Sequence, residues 1–126
     1  MRPDKNSVSI DKKIIIILNQ LFEIERKTRG SDEYNKISRN LERIKDALAL
    51  DNQGAELFYE DPTGDKYSDT RNDLEAHIVG DETENLVVID VIKPIIRYGN
   101  RQLGLTQVIQ RGVVSVESQN KTKEEK

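Results

Sequence analysis

An α+β fold follows from the order of hydrophobic periods along the 126-residue chain. It is an N-terminal antiparallel helix pair forming a dimeric four-helix bundle, followed by a compact all-β domain of short strands. Apolar residues first recur at the three- and four-residue spacings of a helix. Short β-branched runs bounded by Gly, Pro, Asn and Asp then fill the second half. Between the two helical segments lies only Arg29-Gly30-Ser31, a link short enough to imply an antiparallel pair.

The first helix has Ser9 or Asp11 as candidate caps, because either side chain can accept from a free backbone N–H. Ile14, Ile17, Leu21 and Ile24 form its seam, and Ile15, Ile16, Leu18 and Phe22 widen it. A helix apolar on several sides needs more than one neighbour. Arg26, Lys27 and Arg29 suit the negative end of its dipole, and Gly30 suits a stop. Ser31 caps the second helix, with Asp32 and Glu33 in its first turn. Tyr34, Ile37, Leu41, Ile44 and Leu48 repeat at helical spacing, and Asn52-Gln53-Gly54 ends the run. Two such helices do not close a core, whereas four do, so a dimer is the economical solution. The seam residues Ile14, Ile17, Leu21, Ile37, Leu41, Ile44 and Leu48 read as core. The interface between copies is expected at Ile14, Ile15, Ile16, Leu18, Leu21, Phe22, Leu41 and Leu48, with its weight on Ile15, Ile16 and Leu18.

After Gly54 the period becomes strand-like. Strands are expected at Leu57 to Tyr59, Ala76 to Val79, Leu86 to Ile92 and Ile95 to Tyr98. Gly99-Asn100 fits a two-residue hairpin turn, and Gln107 to Val116 continues with an interruption at Gly112. Pro94 cannot donate to a ladder and marks an edge, bulge or break. The resulting units are a tail over 1–8, a helical dimerisation unit over 9–53, a β-domain over 54–117 and a tail over 118–126.

Composition narrows the chemistry. Leu, Ile, Val and Phe supply 35 residues, enough to fold. With no Trp and two Phe the core is thin, which again favours a second copy. Cysteine is absent, so thiolate chemistry and disulfides are excluded. The net charge of −3 argues against a dedicated nucleic-acid binder. The longest apolar run, Ile14 to Leu18, cannot span a bilayer, and the chain reads as soluble and cytoplasmic with no membrane partner.

The search for catalytic or metal-ligating groups is negative. His77 is the only histidine, and a lone histidine is more often structural than catalytic. Asp61, Asp65, Asp69, Asp73 and Glu75 lack the spacing of a calcium loop and read as a solvated acidic loop. Asp90 and Lys93 are three apart, which on a regular strand places them on opposite faces and excludes a nuclease-type pair. Gly99, Gly104 and Gly112 read as turn or bulge glycines. Arg97, Arg101 and Arg111 near Tyr98 could stack on nucleic acid or anchor a protein interface. Neither a metal nor a cofactor is expected.

Taken together, the segments IIIILNQLFEIER, DEYNKISRNLERIKDALALDNQGAELF and NLVVIDVIKPIIRYGNRQLGLTQVIQ, in this order, resemble the GrpE nucleotide exchange factors, co-chaperones of DnaK-type chaperones. Gly64 to Ser68 is similar to the family's Gly-x-x-Phe-Asp step, and Leu74-Glu75-Ala76 to its Glu-Ala step. The resemblance covers Ile14 to about Val116, without the family's long stalk helix. Lys93-Pro94-Ile95 stands where the family has Lys-Gly-Tyr, Gly99-Asn100 inverts its Asn-Gly, and its usual histidine before Glu-Ala is missing. The resemblance implies a stress-response protein that is not an enzyme. It would be a homodimer binding the ATPase domain of a DnaK-type chaperone and promoting ADP release. By position it implies partner contacts at Arg101, Ile92 and Gln110, flanked by Asn100 and Leu103. The alternative is a dimeric adaptor that keeps the fold and binds another protein. A nucleic-acid-binding dimer would rest on the three arginines alone, and an enzyme lacks an acid–base constellation.

Overall fold

The computed structural model describes residues 10–48 and 55–120. Two helices, α1 (Lys12–Thr28) and α2 (Asp32–Leu48), precede six strands: β1 (Glu56–Glu60), β2 (Leu74–Val79), β3 (Leu86–Lys93), β4 (Ile95–Asn100), β5 (Leu105–Gln110) and β6 (Gly112–Ser118). The expected α+β class is therefore observed. Asp11 caps α1, its carboxylate accepting from the Lys13 N–H at 2.9 Å. Ser31 caps α2 by accepting from the Tyr34 N–H at 3.2 Å. Gly30 takes a positive φ of 83° in the link. The alternative cap Ser9 and the expected stop at Asn52-Gln53-Gly54 lie outside the described residues. Among the described residues no helix is long and apolar enough to cross a membrane.

The strands form two three-stranded sheets, β1-β4-β5 and β2-β6-β3. The first is antiparallel, while β2 runs parallel to β6 and β3 antiparallel to it. The chain passes between sheets three times, from β1 to β2, from β3 to β4 and from β5 to β6. Pro94, fully buried, separates β3 from β4, so the expected break is a crossing from one sheet to the other. Arg111 separates β5 from β6 and divides the run that reads as continuous in the sequence. At that crossing a Cβ on Gly112 would meet side-chain carbons of Ile95 and Leu74 at 3.0 Å, so any larger residue presses on both. β6 runs through Ser118, one residue past the expected boundary, and the buried Ser118 hydroxyl donates to the Glu84 carbonyl at 2.7 Å.

Two apolar clusters hold the fold together. One covers the inner face of the β2-β6-β3 sheet with Leu74, Leu86, Val88, Val91, Val114 and Val116, and it includes Phe22 of α1. The other joins Leu18, Leu21 and Leu41 of the helices to Leu57 and Ile96 of the β1-β4-β5 sheet. Leu18, Leu21, Phe22 and Leu41 are thus covered inside a single chain. That corrects their assignment to an interface between copies. The reason is tertiary: the wide face of α1 is filled by the β-domain of its own chain, which periodicity alone cannot distinguish from a second molecule. Ile14, Ile15 and Leu48 are partly buried against the same cluster, leaving Ile16 of that set 60% exposed.

The hairpin also differs from expectation. Gly99-Asn100 is not the turn; both residues belong to β4, with Gly99 paired to Glu56 and Thr106. The turn is Arg101 to Gly104. Gly99 is required for another reason. Its φ is 148°, and a Cβ there would lie 2.3 Å from the Leu105 carbonyl oxygen. Replacing Gly99 with alanine should therefore cost about 2 kcal/mol or more, the scale of local backbone strain. Urea denaturation of Gly99→Ala against the parent chain measures it.

Candidate partner-binding surface

The β4–β5 hairpin ends in a tight, self-bonded tip. The Asn100 side-chain oxygen accepts from the Leu103 N–H at 3.0 Å, and the Gly104 N–H donates to the Arg101 carbonyl at 3.2 Å. Gly104 has φ 71°, the left-handed conformation that closes the turn. Because Asn100 is occupied in shaping the tip, its side chain supports the hairpin. Leu103 and Leu105 are both 68% exposed, the most exposed large apolar side chains described. Beside them the Arg101 guanidinium lies 4.0 Å from the Phe58 ring centroid and 3.6 Å from a Glu56 carboxylate oxygen. A cation braced by an aromatic face, next to two exposed leucines, is the composition of an interface anchor.

Ile92 is exposed on β3, and so is Ile89. Each sits at a register shift between β3 and β6, at Val88/Asp90 and at Val91/Lys93. Bulges of this kind turn a side chain out of the regular alternation. The same shifts overturn the argument that separated Asp90 from Lys93. Asp90 pairs with Ser115 and Lys93 with Val113, two positions of one face of β6, so the acid and the lysine share the outer face. Asp90 there meets Arg26 of α1 at 3.5 Å, and no metal-holding cluster of His, Cys, Asp and Glu occurs among the described residues.

Gln110 is committed inside the chain. Its amide nitrogen donates to Asn19 of α1 at 3.0 Å and to the Pro94 carbonyl at 2.9 Å, and its oxygen accepts from Asn19 at 3.1 Å. It ties α1 to the crossings at Pro94 and Arg111 rather than presenting an amide outward. Two of the three arginines considered for nucleic acid are likewise engaged. Arg111 donates to the Leu74 carbonyl at 2.8 Å. Arg97 bonds Glu60 at 2.8 Å and Asp73 at 2.6 Å.

Asp73 corrects the reading of residues 61–75 as a solvated acidic loop. It is only 8% exposed and is gripped by Arg71 through two bonds of 2.9 and 3.0 Å as well as by Arg97. The alternating sequence of charges around Arg71 and Asp73 was the available signal, but Arg97 comes from a different sheet. His77 is exposed on β2.

A second polar cluster lies where α1, α2 and β1 meet. The Glu25 carboxylate is buried, accepts from the Tyr59 hydroxyl, and pairs with Lys45 at 3.0 Å. Lys45 also reaches Glu42 at 3.0 Å and lies 5.1 Å from the Tyr59 ring centroid. Burial, together with the hydrogen bond to Glu25, pushes the Tyr59 hydroxyl far above the usual phenol range. No sequence motif marks this cluster, since Lys45 and Tyr59 are 20 and 34 residues from Glu25 along the chain.

Comparison of the chain with protein-family models, with curated proteins and with solved structures gives no match.

The hydrogen bonds from Arg71, with the charges of Arg71 and Arg97, hold the Asp73 carboxyl below the usual carboxylate range. A depressed folded pKa stabilises the fold above the unfolded value of about 4, and the gain is lost as pH falls through the folded value. Asp73→Asn should therefore lose about 2 kcal/mol at neutral pH. The gap to the parent should close in acid below the folded pKa, as read by urea melts across pH.

Proposed function

We propose that this chain is a GrpE-like nucleotide exchange co-chaperone, dimeric through its helices, that binds the ATPase domain of a DnaK-type chaperone. The observation that carries the reading is the hairpin tip, where Arg101 stands beside exposed Leu103 and Leu105 on a rigid sheet. Its chemistry suits protein binding: apolar area for affinity and one cation for orientation. Ile92 adds a further exposed apolar contact.

Exchange needs no reacting group. The β-domain must bind the open, nucleotide-poor ATPase better than the closed one, so that the population shifts toward opening. Reciprocity then requires bound nucleotide to weaken the complex. A folded tip that keeps its shape while binding loses little conformational freedom, which leaves more of the contact energy for that shift.

The dimer is supported by a stripe left over after the helices pack on their own sheets. Ile17 and Ile24 on α1 and Ile44 on α2 are each at least 40% exposed, and Ile16 more so. Ile17 and Ile24 are seven apart, one face of α1. Pairing this stripe with its copy completes the four-helix bundle. Changing Ile24 to lysine, a charge on that face, should convert dimer to monomer with α-helical content retained, by light scattering and circular dichroism. A parent chain that is monomeric at micromolar concentration would remove the bundle.

Gln110 favours a second reading. Its internal bonds to Asn19 and Pro94 take away one contact position implied by the resemblance. An adaptor that keeps the fold but binds another protein needs only the tip. Release of a fluorescent ADP analogue from a DnaK-type chaperone separates the two. An exchange factor accelerates release, and Arg101→Ala lowers the effect by about tenfold, the cost of one interface anchor. An adaptor produces no acceleration.

A further inference from the structure

We propose that Glu25, Tyr59 and Lys45 form a latch that fixes the angle between the helix pair and the β-domain. Through that angle it also fixes the direction in which the Arg101 hairpin faces a partner. The second half of this statement rests on the partner-binding reading above; the first does not.

Among the described residues, four polar side-chain contacts join α1 and its C-cap Arg29 to the strands and their loops, and they differ in strength. Arg26–Asp90 at 3.5 Å and Arg29–Asp61 at 3.1 Å involve exposed arginines. Exposed pairs of this kind contribute little. The Asn19–Gln110 amide pair is neutral and only part-buried. The Glu25–Tyr59 bond alone has a carboxylate acceptor that is buried, the arrangement that makes a hydrogen bond strong. It is also the only one of the four whose cluster includes α2, through Lys45.

The cluster is set so that separation is unfavourable at several points. Phe22 meets the Tyr59 ring edge-on at a centroid distance of 5.8 Å, three residues before Glu25 on the same helix. Moving the helix pair off β1 would pull Phe22 from its cluster and leave the Glu25 carboxylate without the Tyr59 donor. Apolar contacts tolerate small sliding, whereas a hydrogen bond fails over a fraction of an ångström and misdirection. The hydroxyl of Tyr59 therefore supplies the angular precision, and the apolar clusters supply the bulk of the attraction. Tyr59 is in β1, which pairs along its length with β4, the strand that carries the Arg101 turn. The latch and the hairpin are two ends of one sheet.

Tyr59→Phe isolates the latch, because it keeps the ring against Phe22 and removes the hydroxyl alone. The chain has no cysteine, so a single thiol placed at the buried position Ile96, between helices and sheet, reports opening by its rate of modification with a thiol reagent. Leu57→Cys serves if Ile96→Cys does not fold. The latch predicts modification through a local opening, with a rate nearly independent of low urea and raised about tenfold by Tyr59→Phe. Modification that follows global unfolding in urea, or a rate unchanged by Tyr59→Phe, overturns it. In the ADP-release assay the same variant should need several-fold more protein for half-maximal acceleration at an unchanged maximum. If the parent accelerates nothing, the co-chaperone reading fails while the thiol rates still decide the latch.

Discussion

The packing of α1 against two sheets at once is the constraint on which the rest of the structure depends. Leu18 and Leu21 complete the cluster over the β1-β4-β5 sheet, and one residue later Phe22 enters the cluster over the β2-β6-β3 sheet. Each three-stranded sheet presents an apolar face that these α1 residues cover. A chain with two phenylalanines and no tryptophan uses one helix for both. This also explains why α1 is apolar on more than one side.

Covering two sheets brings polar groups into the contact, and the structure satisfies them. No buried side-chain nitrogen or oxygen is left without a partner among the described residues. Glu25 meets Tyr59 and Lys45, Asp73 meets Arg71 and Arg97, and Gln110 meets Asn19. Each joins elements distant in sequence or turns the chain at a crossing. An unpaired buried carboxylate would cost several kcal/mol, so these partners select one relative arrangement of helices and sheets.

The surface that remains is correspondingly simple. With Arg97 and Arg111 used inside, the exposed cation of the hairpin region is Arg101, set between an aromatic ring and two exposed leucines. The isoleucines of the helix pair form a second exposed apolar strip. In the proposed reading, the strip pairs with a second copy and the hairpin tip meets a different protein.

Much of the local structure was legible in the sequence because it depends on neighbours. The Asp11 and Ser31 caps, the Gly30 stop and the break at Pro94 follow from rules that act over four residues or fewer. Alternation failed at Ile89 and Ile92, because bulges depend on how β3 meets β6. Glycine chemistry misplaced the turn, because Gly99 answers to the Leu105 backbone opposite it rather than to its own bend. The sequence by itself determined which segments are helix and strand and which residues are apolar. Tertiary structure decided what each apolar face touches, so that Phe22 fills its own chain's core and Ile24 faces outward. The physical reason is that burial is a property of two surfaces, and periodicity describes only one of them.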